Sequence, residues 1–310
     1  MNVSKKTYGY FAFGLQIESE YEIPEFTKRN GEEQAHVTIM KRDLSHLWKE
    51  HATSDTRVIV KENLVLFHIE NLATFCVRNG EQILVSPENE AEEDRIRLYL
   101  LGSCMGALLM QRNVLCLHGS AIEINGKAYA ITGHSGAGKS TLATAFLQKK
   151  FKLLTDDVIA ITYDKQNQPM VVPGYPQQKL WKESLQNFGM EHKGYKPLVD
   201  RENKFAVPIP GFHHQPVPLA GLIELSISED GSLTLKEITG LERVHIVMGQ
   251  AFRRSFIEDS GRTEWQFKES MKLVNHVSII SLQRPSDHFT AHELVSLILY
   301  KISKKEEVTC

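Results

Sequence analysis

The run GHSGAGKST, Gly133 to Thr141, limits what this chain can fold into more than any other stretch. It stands between the apolar AYAIT and the helix-forming TLATAFLQKKF. A plain turn does not need a lysine and three hydroxyls among three glycines. The spacing Gly133-x-x-x-x-Gly138-Lys139-Ser140 lets successive backbone N–H groups turn inward and form a cradle for an anion. The helix that follows adds its positive N-terminal dipole. Gly133, His134, Ser135, Gly136, Ala137, Gly138, Lys139, Ser140 and Thr141 are therefore the candidate phosphate-binding residues. Lys139 is placed to reach β- and γ-phosphates, and the Ser140 hydroxyl to ligate Mg2+. At average residue usage the pattern arises by accident in roughly 1% of chains this long, so chance is a poor rival. The expectation is an α/β fold with a strand, this loop and a helix in series.

A nucleotide site of this kind needs a carboxylate for the metal. The segment KLLTDDVIAI supplies two, Asp156 and Asp157. They are expected at the end of an apolar strand beside the loop's own strand. Two adjacent carboxylates can divide the work. One serves the metal, and one faces the acceptor as a general base.

The bulk properties exclude other classes. Of 310 residues, 42% are hydrophobic and 24% charged, enough for one large or two ordinary cores. The net charge of -2 gives no basic field for nucleic acid. Cys76, Cys104, Cys116 and Cys310 show no CxxC spacing and read as reduced thiols. No apolar run is long enough to span a bilayer, and the N-terminus lacks a signal-peptide pattern, so the expected setting is cytoplasmic, without membrane or nucleic-acid partners. Residues 1–90 read as a β-rich N-terminal domain, with Asn79-Gly80 as a hairpin turn. Residues 91–310 read as the catalytic domain, with a change to helical period over 89–113. VLCLHG, SAIEI and KAYAIT read as three short strands, with Asn125-Gly126 turning the last two. Residues 165–218 read as loop with short elements. AGLIELSISEDGSLTLKEI reads as a hairpin about Asp230-Gly231, and LERVHIVMGQAFRRSF as a helix. No GxGxxG opens a helix, which disfavours a dinucleotide dehydrogenase.

Residues 117–161 resemble the catalytic core of the HPr serine kinase/phosphorylase family. The resemblance rests on His118-Gly119 before a hairpin, the loop GHSGAGKS, and Asp156-Asp157 on the next strand. It implies a P-loop kinase core of the type shared with phosphoenolpyruvate carboxykinase. It also implies ATP and Mg2+ as cofactors, and a homo-oligomer. Carried over, Asp156 takes the proton of the acceptor serine and His118 supports it or the phosphates. Ser140 serves the metal, with Asp157 as the weaker metal candidate. A narrower resemblance, covering about residues 95–300, is to the HPr-kinase-like tailoring kinases of lasso-peptide biosynthesis. It is carried by LHGSAIEING, GAGKSTLA, LLTDDV and the KLW that follows the prolines. It implies phosphorylation of a C-terminal serine on a precursor peptide.

The chain departs from the HPr kinases in places. His134 and Thr141 stand where that family usually has Asp and Glu. The span VPGYPQQKLWKES lacks the later glycine-rich signature, which leaves Glu183 as a stand-in metal carboxylate. A second cation could come from Arg201 or Lys204, or more weakly from Arg253 or Arg254. Trp181, Tyr175 and Phe205 are candidates to pack against a peptide. The alternatives are an HPr kinase, a small-molecule kinase, or a nucleotide-binding regulatory module without transfer.

Overall fold

Buried positions alternate along the strands within residues 8–41, the two-residue period of a sheet, whereas residues 65–67, 75–77 and 83–85 are buried in unbroken runs. The computed structural model describes residues 6–29, 31, 33–53, 55–198 and 201–309. Its first strands are β1 (Tyr8–Ala12), β2 (Leu15–Ser19), β3 (Thr27–Lys28) and β4 (Val37–Lys41). After helix α1 (Ser45–His51) come β5 (Val58–Lys61), β6 (Leu64–Ile69), β7 (Ala73–Arg78) and β8 (Gln82–Pro87). They form one sheet in the order β3-β1-β2-β4-β8-β7-β6-β5. Asn79 and Gly80 both take positive φ between β7 and β8, as the hairpin required. One face of the sheet packs Leu66, Cys76 and Leu84 beneath α1 residues Leu47 and Trp48. The other face presents Ile17, Phe75 and Val85 to the rest of the chain.

A long apolar helix covers that second face. It runs as α2 (Glu93–Tyr99), a π-helical segment Leu100–Cys104, and α3 (Met105–Gln111). Glu93 and Asp94 in its first turn complement the helix dipole. Leu100, Cys104, Met105 and Leu108 share one core with Phe75 and Val85 on one side and Val158, Ala160 and Tyr175 on the other. Residue 90 thus marks a change of element within a continuous core.

The second sheet begins with β9 (Leu115–Ile124) and β10 (Lys127–Thr132), followed by α4 (Lys139–Gln148) and β11 (Lys152–Tyr163). VLCLHG and SAIEI are one unbroken strand, not two, because β9 has hydrogen-bonded neighbours on both sides. The strand β12 (Pro169–Val172) pairs β11. The segment expected to be mostly loop instead holds β13 (Gln177–Trp181), α5 (Lys182–Asn187), β14 (Lys196–Leu198) and β15 (Arg201–Pro208). These three strands make a separate small sheet ordered β13-β15-β14. Tyr175 and Phe205 are buried, whereas Trp181 stays 45% exposed.

The chain continues through β16 (Val217–Ile227), β17 (Thr234–Ile238), α6 (Glu242–Gly249), α7 (Arg254–Asp259) and α8 (Thr263–Val274). It closes with β18 (Ser278–Arg284) and α9 (Ala291–Thr309). The second sheet is ordered β10-β9-β11-β12-β16-β18-β17, and β10 also pairs β16 in parallel. β10, β9, β11, β12 and β16 therefore close a circuit. The turn at Asp230-Gly231 forms, with the Ser228 hydroxyl donating to Asp230 and the Ser232 N–H to Ser228 Oγ. Its arms are not a hairpin, because β18 is inserted between β16 and β17. The helix expected over 241–256 is broken into α6 and α7 at residues 250–253, where Ala251 bridges Leu117. Cys76, Cys104 and Cys116 are buried free thiols; Cys310 lies outside the described residues. No helix among the described residues is long and apolar enough to cross a membrane.

Candidate functional site

The site is assembled by the register of β9. On one edge Gly119 pairs Thr132 of β10, which leads into the glycine loop. On the other edge Gly119 pairs Asp157 and Ser120 pairs Asp156 of β11. The two carboxylates lie inside a 12-residue strand, not at its end, and β9 separates that strand from the loop's own. Gly119 makes this crossing possible. A Cβ there would stand 2.1 Å from the Ile131 carbonyl oxygen.

Successive side chains of a strand point to opposite faces, yet Asp156 and Asp157 line one cavity. Asp157 has φ of 78°, left-handed backbone that a non-glycine residue adopts at a cost of about 1–3 kcal/mol. That kink breaks the alternation and brings both carboxylates to the loop.

The loop connects β10 to α4 with Gly133, Gly136 and Gly138 all at positive φ. A Cβ on Gly133 would meet the Leu225 carbonyl oxygen at 2.1 Å, so glycine is required there. The Gly133 N–H donates to Gln250 Oε1 at 3.0 Å, and the His118 N–H donates to the Gln250 carbonyl at 2.8 Å. The break after α6 thus clamps both the loop and β9. Lys139 is 8% exposed and donates to the carbonyls of Gly133 and His134 at 2.7 and 3.0 Å. Burial pulls its pKa down, against the opposing pull of Asp156 and Asp157. His134, Ser135 and Gly136 are exposed at the crown, and the Thr141 hydroxyl meets that of Ser184.

The two aspartates have different partners. Asp156 Oδ1 accepts from Ser140 Oγ at 3.0 Å and from the Ser120 hydroxyl, and Oδ2 accepts from the Lys179 N–H at 3.0 Å. Burial raises its pKa in spite of these bonds. Asp157 Oδ2 pairs with Lys179 Nζ at 2.7 Å, and Oδ1 lies 3.4 Å from His118 Nδ1. Burial would raise the Asp157 pKa, but Lys179 and His118 hold it below the usual carboxylate range. Burial pushes the His118 pKa down, with Asp157 opposing and Lys139 assisting. His118 Nδ1 also lies 3.1 Å from the Asp157 carbonyl, so with Nδ1 as the donor Nε2 is left as the proton-accepting nitrogen. The serine expected to serve a metal therefore sits against Asp156, the residue read as base, and not against Asp157, the residue read as metal ligand.

Two cavities meet here. One, of about 580 Å3, contains Gly136, Gly138, Lys139, Ser140, Asp156, Glu183, Arg284 and Phe289. The other, of about 610 Å3, contains Tyr99, Ser103, Gly133, His134, Phe252 and Arg253. His118, Ser135, Asp157, Lys179 and Lys204 line both. Asp156 faces only the first. Lys204 stands 5.3 Å from the Trp181 ring centre. Arg254 pairs with Glu258 and lines neither cavity. The Arg201 side chain lies outside the described residues.

Sequence reasoning missed Ser120, Lys179, Gln250 and Arg284. Arg284 ends β18 and donates from Nε to the Ala137 carbonyl at 2.8 Å, putting a second cation on the loop. The one local signal was Lys179, a charge within the alternating strand QQKLW. The donor set fits a nucleotide phosphate, with glycines at positive φ, a buried lysine and an arginine. A hydroxyl beside a carboxylate fits Mg2+, which uses few protein ligands and completes its shell with phosphate and water. No group of three or more His, Cys, Asp or Glu side chains that could hold a metal ion occurs among the described residues.

No family model matches the chain, and no curated protein sequence matches it. Among solved structures it is similar to the HPr(Ser) kinase/phosphatase from Coxiella burnetii. The identity is 12%, the TM-score 0.34, and the match covers 62% of this chain and 98% of that one.

Proposed function

We propose that this chain is an ATP-dependent serine kinase that transfers the γ-phosphoryl group of Mg-ATP to a peptide hydroxyl, the C-terminal serine of a lasso-peptide precursor. The observation that carries the reading is a pair of cavities with Asp157, His118 and Lys179 on their common wall. Gly136, Gly138, Lys139 and the Asp156–Ser140 pair line one side of that wall. ATP occupies the loop side and the acceptor the other.

In this reading the loop N–H groups, Lys139 and Arg284 hold the phosphates. Ser140 and Asp156 would hold Mg2+, whose chemistry is to neutralise charge on the β- and γ-phosphates. Asp157 accepts a hydrogen bond from the acceptor hydroxyl and orients it. The hydroxyl oxygen forms the new P–O bond as the bond from the γ-phosphorus to the β–γ bridging oxygen breaks. ADP leaves, and the hydroxyl proton passes to the Asp157 carboxylate. His118 positions Asp157 through Nδ1. This division reverses the roles expected for the two aspartates, and its support is the pairing of Ser140 with Asp156. Most of the catalysis is positioning and charge already in place.

The test is intact-mass analysis of a lasso precursor peptide ending in serine, incubated with Mg-ATP and the protein, with HPr in parallel. The reading expects one peptide to gain phosphate and HPr none. Phosphate on HPr alone would move the chain to an HPr kinase role. Nucleotide binding with no transfer to either would favour a regulatory module.

A further inference from the structure

The second cavity is lined by Lys179, Lys204 and Arg253, and its one carboxylate, Asp157, is already paired with Lys179. Arg253 is its most conspicuous member. Its φ of 51° is left-handed backbone on a large side chain, a conformation retained only where the surroundings enforce it. The surroundings do so from three directions. Ser103 Oγ accepts from the guanidinium at 2.6 Å. The rings of Phe252 and Phe256 lie 5.8 and 5.9 Å from the guanidinium carbon. The Phe252 N–H is fixed to the Cys116 carbonyl of β9 at 2.8 Å.

Ser103 belongs to the π-helical segment, an irregularity that recurs at functional sites. Its neighbour Gly102 packs against Asp157; a Cβ there would be 4.0 Å from Asp157 Oδ2. Phe252 in turn lies 5.9 Å from the His118 ring. Arg253 is thus pinned beside the reacting wall, and among the described residues no carboxylate pairs with it. One of its five N–H donors is used on Ser103, and the fork geometry of the rest matches a carboxylate.

We propose that the second cavity is an acceptor pocket that reads a carboxylate adjacent to the acceptor hydroxyl, with Arg253 as the carboxylate-binding residue and Ser103 as its positioning residue. A seryl acceptor with this chemistry is a C-terminal serine with a free α-carboxylate. The inference rests on the kinase reading for the hydroxyl, but carboxylate binding is testable without any transfer.

The experiment is titration calorimetry of the whole protein with the acetylated peptide Gly-Gly-Gly-Ser as free acid and as C-terminal amide. The acid is expected to bind about tenfold or more tighter than the amide. Arg253→Asn, which tolerates left-handed backbone, is expected to erase that difference. Ser103→Ala is expected to reduce it, and Arg253→Lys to restore part of it. Equal binding of acid and amide to the wild type would overturn the proposal, whatever the variants do. So would an acid preference that survives in folded Arg253→Asn. Acid preference without phosphate transfer would sustain this pocket and sink the kinase reading. Transfer to acid and amide at the same kcat/KM would do the reverse.

Discussion

Asp156 and Asp157 are neighbours in sequence, yet they meet different partners, and that difference is measurable. With Asp156 on Ser140, Asp156→Asn is expected to raise the Mg2+ needed for half-maximal transfer by about tenfold or more. Asp157→Asn keeps a residue that tolerates left-handed backbone. It is expected to lower kcat by about 10^2–10^3-fold with ATP binding intact. Mg2+ titrations and nucleotide binding on both variants check this; a shift in metal dependence confined to Asp157→Asn would restore the opposite roles. His118 gives a pH signature. Burial holds its pKa in the fold below its ordinary 6.5, with Lys139 assisting and Asp157 and Asp156 opposing. Below that value the unfolded chain takes up the proton first, so His118 costs stability as pH falls and costs none well above it. The wild type is expected to lose more melting temperature between about pH 7.5 and about pH 5.5 than His118→Gln does. Equal losses would remove His118 from that account. The loop residues could be nominated from sequence because an anion cradle would draw glycines, lysine and serine from nine contiguous positions. Ser120, Lys179, Gln250 and Arg284 were not, because only strand register and a helix break bring them to the loop.

At the level of elements, β9 is the central strand of the site. Gly119 is its critical position, since the Ile131 carbonyl blocks any side chain there. Gly119→Ala is expected to destabilise the fold by about 1–3 kcal/mol and to weaken nucleotide binding, because β10 can move only by shifting the loop. Thermal melts and nucleotide titration would register both; a variant with unchanged melting and binding would contradict the register. Asn79-Gly80 and Asn125-Gly126 were legible as turns because local chemistry decides them. The misread arms around Asp230-Gly231 show the limit of that logic. The turn forms, but β18, about 40 residues later in chain order, takes the place between its arms. Likewise β13–β15 hold together by pairing across α5, which proline-rich local sequence does not advertise.

For the molecule as a whole, the first sheet and the half that carries the glycine loop share one core through the helix α2–α3. Phe75, Leu100, Cys104 and Val158 belong to the same cluster. Leu100→Ala is expected to cost about 2–5 kcal/mol in denaturant unfolding, and both halves are expected to melt together. A separate transition for residues 1–90 would contradict a continuous core. The composition shift near residue 90 was readable, whereas the shared core was not, because apolar faces do not declare their partners. In the proposed function the wall of Asp157, His118 and Lys179 joins a nucleotide site to a hydroxyl acceptor site. The most direct measurement is intact-mass analysis of a serine-terminated precursor peptide after incubation with Mg-ATP, for the wild type and Asp157→Asn. A mass gain of one phosphate on the peptide, lost in Asp157→Asn, is the predicted result. An unmodified peptide in the presence of wild-type protein that binds ATP would contradict it.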